Sequence, residues 1–262
     1  MAEPETPLDL AHAAMESAPE DGAARLQFYE RLVEGELFLM LAAEPVGAVV
    51  EPRIFPLDDG DYVLVYDRED RLSRFAGGPT PYAALAGRRV VEMLAQRDIG
   101  LGLNLGEAPS EMLLPPEVVD WLAETLSARP TIADAQPREI APPSDLPQAL
   151  LTAIDGKLAR MGGLAARAYL AQVTYDTGAH SHLLAFIDPA DGAEDTLARA
   201  VGEALTFSGL ETGSLDVAFL ADSHILSARL SRAALRFDLP TPEVTEPPRP
   251  PGSDPDAPPR LR

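Results

Sequence analysis

The chain contains no cysteine. That absence excludes disulfides, thiolate metal sites and a cysteine nucleophile, and it fits a reducing compartment. Lysine is nearly absent too. Lys157 stands alone among 21 Lys and Arg residues, a skew that reads as codon bias more than mechanism. Aromatic residues are 6% of the chain, with Trp121 the single tryptophan. No apolar run approaches the length of a membrane span. The opening MAEPETPLDLAHAAMESAPEDG is interrupted by acids where a secretory signal needs a basic start and a long apolar run. The expectation is a cytoplasmic protein without a membrane partner.

What is present is acid and apolar bulk. The net charge of -21 repels nucleic acid and anionic surfaces, so no nucleic-acid partner is expected, and the acidic excess reads first as a solubilising surface. With 262 residues, 46% of them hydrophobic, the chain can bury the core of one large domain or two small ones.

The periodicity changes along the chain. PLDLAHAAM places Leu8, Ala11 and Met15 on one helical face. AARLQFYERLV repeats the pattern with Leu26, Tyr29, Leu32 and Val33, and Gly35 stops it. ELFLMLAA is a short continuous apolar run, the signature of a buried strand. RIFPLDDGDYVLVYD holds two apolar runs around Asp58-Asp59-Gly60, a hairpin signature. Asp67 is placed to cap the next helix, which Gly77-Gly78-Pro79 ends. PYAALAGRRVVEMLAQRD reads as one helix with Leu85, Val90 and Leu94 inward and Arg88, Glu92 and Arg97 outward.

The segment IGLGLNLGEAPSEMLLPPEVVDWL, residues 99–122, begins with Gly100, Gly102 and Gly106. Their G-x-G-x-x-x-G spacing is one residue too long for a dinucleotide fingerprint. They alternate with Ile99, Leu101, Leu103 and Leu105, which points to a strand with one bare face open to close approach. Pro115-Pro116 then opens a helix with Val118, Trp121, Leu122 and Leu126 as its apolar stripe. ARPTIADAQPREIAPPSDLPQ lacks a period and reads as a linker. Beyond it come the helix LPQALLTAIDGKLARM, with Leu150, Ile154 and Leu158 inward, and the strands ARAYLAQVTYD and SHLLAFIDP. GAEDTLARAVGEALTF is a helix, SLDVAFLAD a strand, and HILSARLSRAALRF a short helix or mixed segment.

Candidate chemistry is sparse. His180 and His182 share a strand face and have usable ligand geometry, but only Asp176 and His224 offer further ligands, and only if the fold brings them in. Asp222, Ser223 and His224 name a triad on paper, yet a triad converges from separate elements. Asp58, Asp59 and Asp61 lack calcium-loop spacing and fit a turn. Arg88-Arg89 could meet an anion, although a solvated helix face is the stronger reading. The expectation is no catalytic, cofactor-binding or metal-binding residue and no cofactor.

The first half resembles the SseB N-terminal domain in PLDLAHAAM, FYERLVEGELFLML, FPLDDGDYVLVYDREDRLSRFAG and GLGLNLGEAPSEMLLPPEVVDWL. The last segment, an apolar strand with glycine or asparagine leading to LPPE and a helix, is the most specific. ARAYLAQV, LLAFIDP and SLDVAFL resemble core strands of the SseB C-terminal domain, after the helix LPQALLTAI; ALRFDLP departs from that family's ending. The resemblance covers residues 5 to 240. It implies a mixed α/β (α+β) fold of two small domains with separate cores: an SseB-like N-terminal domain over 5–130, a linker over 131–144 and an SseB-like C-terminal domain over 145–239. The proline-rich segment 240–262 has almost no large apolar residue, cannot bury enough surface to offset chain entropy, and reads as a disordered tail. The family is named for enhanced serine sensitivity, a bacterial phenotype, and brings no catalytic residue with it. The function it implies is a non-catalytic cytoplasmic interaction or regulatory protein with an unknown protein partner. The alternative is an enzyme or small-molecule sensor of amino-acid metabolism with an interdomain pocket. Histidine, arginine and carboxylate around one cleft would favour the alternative; a broad apolar patch on the first domain would favour the partner protein.

Overall fold

The computed structural model describes residues 5–45, 47, 50–58, 60–127, 137–209 and 215–241. Asp59 of the expected turn, 131–136 of the expected linker and 242–262 of the expected tail lie outside them.

The fold is mixed α/β with two sheets, and the part of the chain around each sheet is called a lobe below. The first lobe opens with helices α1 (Pro7–Ser17) and α2 (Gly22–Glu34). Thr6 and Asp9 form a reciprocal capping box on α1, satisfying amides the helix leaves free. Strand β1 (Glu36–Met40) follows, then the antiparallel hairpin β2 (Ile54–Leu57) and β3 (Gly60–Tyr66). Helix α3 (Glu69–Ala76) ends at Gly77, whose φ of 64° suits glycine.

The expected helix over PYAALAGRRVVEMLAQRD is instead strand β4 (Tyr82–Ala86) followed by helix α4 (Gly87–Leu94). β4 takes the edge beside β1 through the full register Glu36↔Ala86 to Met40↔Tyr82. The break falls at Gly87 because its bare Cα packs against the backbone of Leu32 and Val33 in α2. A side chain there would overlap that backbone, and pairing with β1 outweighs the helix propensity of Ala83–Ala84. Strands β5 (Ile99–Leu103) and β6 (Met112–Leu114) and helix α5 (Pro116–Ser127) complete the lobe. The sheet order is β4-β1-β3-β5-β6, with β2 beside β3; β3 and β5 run parallel.

The second sheet begins inside the expected linker. Pro137–Ala141 is strand β7, paired antiparallel with β8 (Arg167–Tyr175). Helix α6 (Gln148–Leu158), strand β9 (His180–Ile187), helix α7 (Glu194–Phe207), strand β10 (Leu215–Leu220), helix α8 (Ile225–Ala233) and strand β11 (Leu235–Asp238) follow. The order is β10-β9-β8-β11, with β7 also on β8. β9 and β10 are parallel, joined by the α7 crossover.

Residues of β8 alternate between two apolar layers. Ala168 and Leu170 pack toward α6 and α7, while Tyr169, Ala171 and Val173 pack toward α8. Burial on both faces explains why its sequence is a near-continuous apolar run. The cores are not fully separate, contrary to expectation. Phe207, the last residue of α7, joins the core cluster of the first lobe. α7 lies against α2 and α5 as well as α6, which accounts for its burial on nearly every side.

Candidate functional site

Lys157, the one lysine, is 5% exposed at the boundary between the lobes. Its Nζ donates to Glu34 Oε1 at 2.8 Å and Glu203 Oε2 at 3.1 Å, and lies 3.5 Å from Glu30 Oε1. The ammonium also sits 5.9 Å from the Phe207 ring centroid. Glu30 and Glu34 are one turn apart on α2; Glu203 is on α7. Two further cations close the seam. Arg88 from α4 grips both oxygens of Glu203, at 3.1 and 3.2 Å, and Arg160 donates to Glu34 at 2.7 Å. Burial raises the carboxyl of Glu30 above its ordinary range, because Lys157 does not fully offset its loss of water. Burial also opposes ionisation of Glu34, but the charge and hydrogen bond of Lys157, with Arg160 and Arg31, outweigh it and hold that carboxyl low. The lysine that reads as residue usage in the sequence is a structural cation. Arg88, which reads there as part of a solvated face, spans the lobes; Arg89, 70% exposed and 2.8 Å from Glu92, does face water.

This seam forms the floor of an open cleft of about 390 Å³. Arg88, Arg89 and Glu92 of α4 form one wall, and Arg160, Arg199 and Thr196 of the second lobe form the other. The cleft gathers arginine and carboxylate but no histidine. His12 is buried edge-on to Phe28. His180 Nδ1 lies 3.0 Å from Thr174 Oγ1, and His182 Nε2 is 2.9 Å from the Ser144 carbonyl. The structure therefore gives each histidine of this pair a separate partner, Thr174 on β8 and Ser144 in the loop after β7. His224 accepts from the Leu226 amide as N-cap of α8. Asp222 takes up other partners, its amide donating to Asp188 and its carboxylate lying 3.5 Å from Arg167, so the paper triad does not assemble. No group of three or more potential metal ligands occurs among the described residues.

A second polar cluster lies at the carboxyl ends of parallel strands β3 and β5. Arg71, 2% exposed, donates to Asp9 at 2.6 and 3.0 Å and to Asp67 at 2.8 Å. Thr6 Oγ1 donates to Asp67 at 2.6 Å, Ser110 Oγ to Asp9 at 2.5 Å, and Asn104 Nδ2 to Ser110 at 2.9 Å. Asp67 is thus not the cap of α3, whose N-cap is Arg68 without a side-chain bond; Arg71 draws the carboxylate away. Burial opposes the charge on Asp9, yet the bonds from Arg71, Ser110 and the Thr6 amide hold its carboxyl far below the usual range. This end of a parallel pair is where open α/β sheets place ligands, and here α1 fills it with its own carboxylate.

Between them, β3 and β5 show why the glycines are there. Gly100 and Gly102 stand beside Tyr62 and Leu64 across the pair. A Cβ at Gly100 would meet the Tyr62 ring, and one at Gly102 would lie 2.6 Å from Leu64 Cδ2. The chain after β5 enters a turn at Asn104, with φ 49°, and Gly106, with φ 73°, not a helix, so no helix N-terminus follows the glycines to hold phosphate.

The expected apolar stripe of α5 holds at Leu122 and Leu126, but Val119 takes the inward place expected of Val118 and Trp121. α5 buries Val119, Leu122 and Leu126, while Trp121 is 37% exposed and Val118 half-buried. Trp121 packs against Tyr29 of α2, ring centroids 5.6 Å apart. Leu26, Tyr29, Val118 and Trp121 line an open groove of about 430 Å³ with Arg25 and Glu117 at its rim.

Residues 10–121 match the family model for the SseB protein N-terminal domain. Over this span the first lobe is similar to the SseB N-terminal domain. The match spans β1 to β6 and reaches Trp121 in α5. No curated protein and no solved structure gave a significant match. Among the described residues, no helix is long and apolar enough to cross a membrane.

Proposed function

We propose that the protein is a non-catalytic cytoplasmic interaction module of the SseB type, linked through that family to serine tolerance in a bacterium. Its second lobe is the SseB C-terminal domain that the strand pattern resembles. The Tyr29–Trp121 groove carries this reading. Tryptophan and tyrosine contribute strongly to protein–protein binding when a partner covers them, and this chain leaves its one tryptophan partly exposed, at 37%, on the first lobe. The occupant is a basic protein segment with an apolar anchor side chain, because a body of charge -21 steers positive partners toward it.

Trp121 reports on its own occupancy. A partner captured from the source cell by the tagged protein is purified and titrated against it. Binding should shift the Trp121 emission to the blue and be lost in Trp121→Ser/Tyr29→Ser. Equal capture by the double variant, or binding without a change in emission, would overturn the assignment.

A further inference from the structure

The cleft between the lobes inverts the charge balance of the molecule. Asp and Glu outnumber Lys and Arg by 42 to 21 over the chain. In the cleft lining, Arg88, Arg89, Lys157, Arg160 and Arg199 face Glu34, Glu92 and Glu203. Every one of those carboxylates already accepts from a cation: Glu34 from Lys157 and Arg160, Glu92 from Arg89, and Glu203 from Lys157 and Arg88. Glu34 Oε2 makes no hydrogen bond and lies 3.7 Å from Arg31, but with Arg88, Arg89, Lys157, Arg160 and Arg199 against three carboxylates the net charge left in the lining is positive. Arg199 uses only its Nε, in a long 3.4 Å bond to the Asp195 carbonyl. Its two terminal nitrogens have no partner among the described residues, and Arg160 and Arg89 each commit one terminal nitrogen.

We infer that this cleft binds a compact small-molecule anion with at least two negative charges, presented as phosphate or carboxylate groups. The forked donors of arginine match both groups bidentately. The volume of about 390 Å³ lies within the range of small-molecule sites. Thr196 adds a hydroxyl at the wall, and Met161 and Ala200 supply a short apolar surface for a carbon skeleton. The walls come from both lobes, α4 on one side and α6–α7 on the other, so a bound anion ties them together and stabilises the folded chain by mass action. The inference does not rest on the Tyr29–Trp121 groove, which shares no lining residue with the cleft.

The test is calorimetric titration of the full chain with inorganic pyrophosphate and, separately, with citrate, at fixed ionic strength against chloride. Thermal melting in the same solutions provides a second measure. Saturable binding of either anion is expected, together with a raised melting temperature. Arg199→Gln and Arg89→Gln remove cleft donors that hold no carboxylate between the lobes, so the fold should survive. Each should weaken binding at least tenfold, while Arg236→Gln, an exposed arginine paired with Asp238 on β11, should leave it unchanged. Binding of pyrophosphate alone would identify a phosphoryl ligand, and of citrate alone a carboxylate ligand. Absence of saturable binding by both, or equal weakening by Arg236→Gln, would overturn the inference.

Discussion

Gly100 and Gly102 show how much a residue can contribute by having no side chain. The Tyr62 ring and the Leu114 carbonyl of β6 fill the space a Cβ at Gly100 would need, and the side-chain ends of Leu64 and Leu105 fill it at Gly102. Alanine at either position should destabilise the chain by about 1–3 kcal/mol through overpacking, against a gain of at most about 1 kcal/mol from reduced chain entropy. Urea unfolding measures this directly; an unchanged midpoint in both variants would mean that the sheet opens to admit the methyl. The alternation of glycine with leucine was legible in the sequence because a strand has a period of two. The phase of α5 was not. Val118 and Val119 both fit an apolar stripe, and the packing of the helix on α4, β5 and α7 selects Val119 and leaves Trp121 outward. Emission from the native protein should accordingly be redder than that of a buried indole and accessible to iodide. Full protection from iodide would contradict the exposed placement.

At the scale of the element, short-range signals predicted well and long-range competition did not. Helices α1, α2, α6 and α7 and the β2–β3 and β8–β9 pairs follow from spacing, caps and turns near in sequence. The lost cap at Asp67 and the strand at β4 follow from partners far away: Arg71 and Thr6 for the first, β1 for the second. The same long reach fixes α1, whose Asp9 is held by Arg71, 62 positions along the chain. The pH dependence has a definite sign. The folded carboxyl of Asp9 is depressed, so its contribution is fully present above the unfolded value, near 3.8, and is lost as the pH falls below that toward the folded value. Asp9→Asn should therefore cost stability at neutral pH and flatten the acid limb of the stability curve. Denaturation followed from pH 7 to pH 2 checks both. An acid limb as steep in Asp9→Asn as in the wild type would assign the dependence to other carboxylates.

For the whole molecule, the decisive residue is Lys157, and nothing local in GKLARM marks it. Its partners Glu30, Glu34 and Glu203 lie on two other helices, so only the docked lobes reveal its role. A lone lysine in an arginine-rich chain was the available signal. Lys157→Met keeps the length and removes the charge, leaving three shielded carboxylates without their common cation. Breaking a buried pair by removing one partner costs roughly 3–5 kcal/mol; Arg88 and Arg160 remain on Glu203 and Glu34, which places this case toward the lower end. The loss should shrink on acidification, since the stranded carboxyls can then take up protons. It should also be partly recovered in Lys157→Met/Glu203→Gln, where one of the stranded charges is gone. The lobes should respond differently. Phe207 packs in the first core from the end of α7, so the wild type should unfold in a single transition, with Trp121 fluorescence and far-UV circular dichroism coincident. Lys157→Met weakens the seam without touching either sheet, and the two signals should separate, because Trp121 reports on the first lobe alone. Coincident transitions at the wild-type midpoint in Lys157→Met would show that apolar packing of α7 on α2 and α5 joins the lobes and that the buried lysine does not.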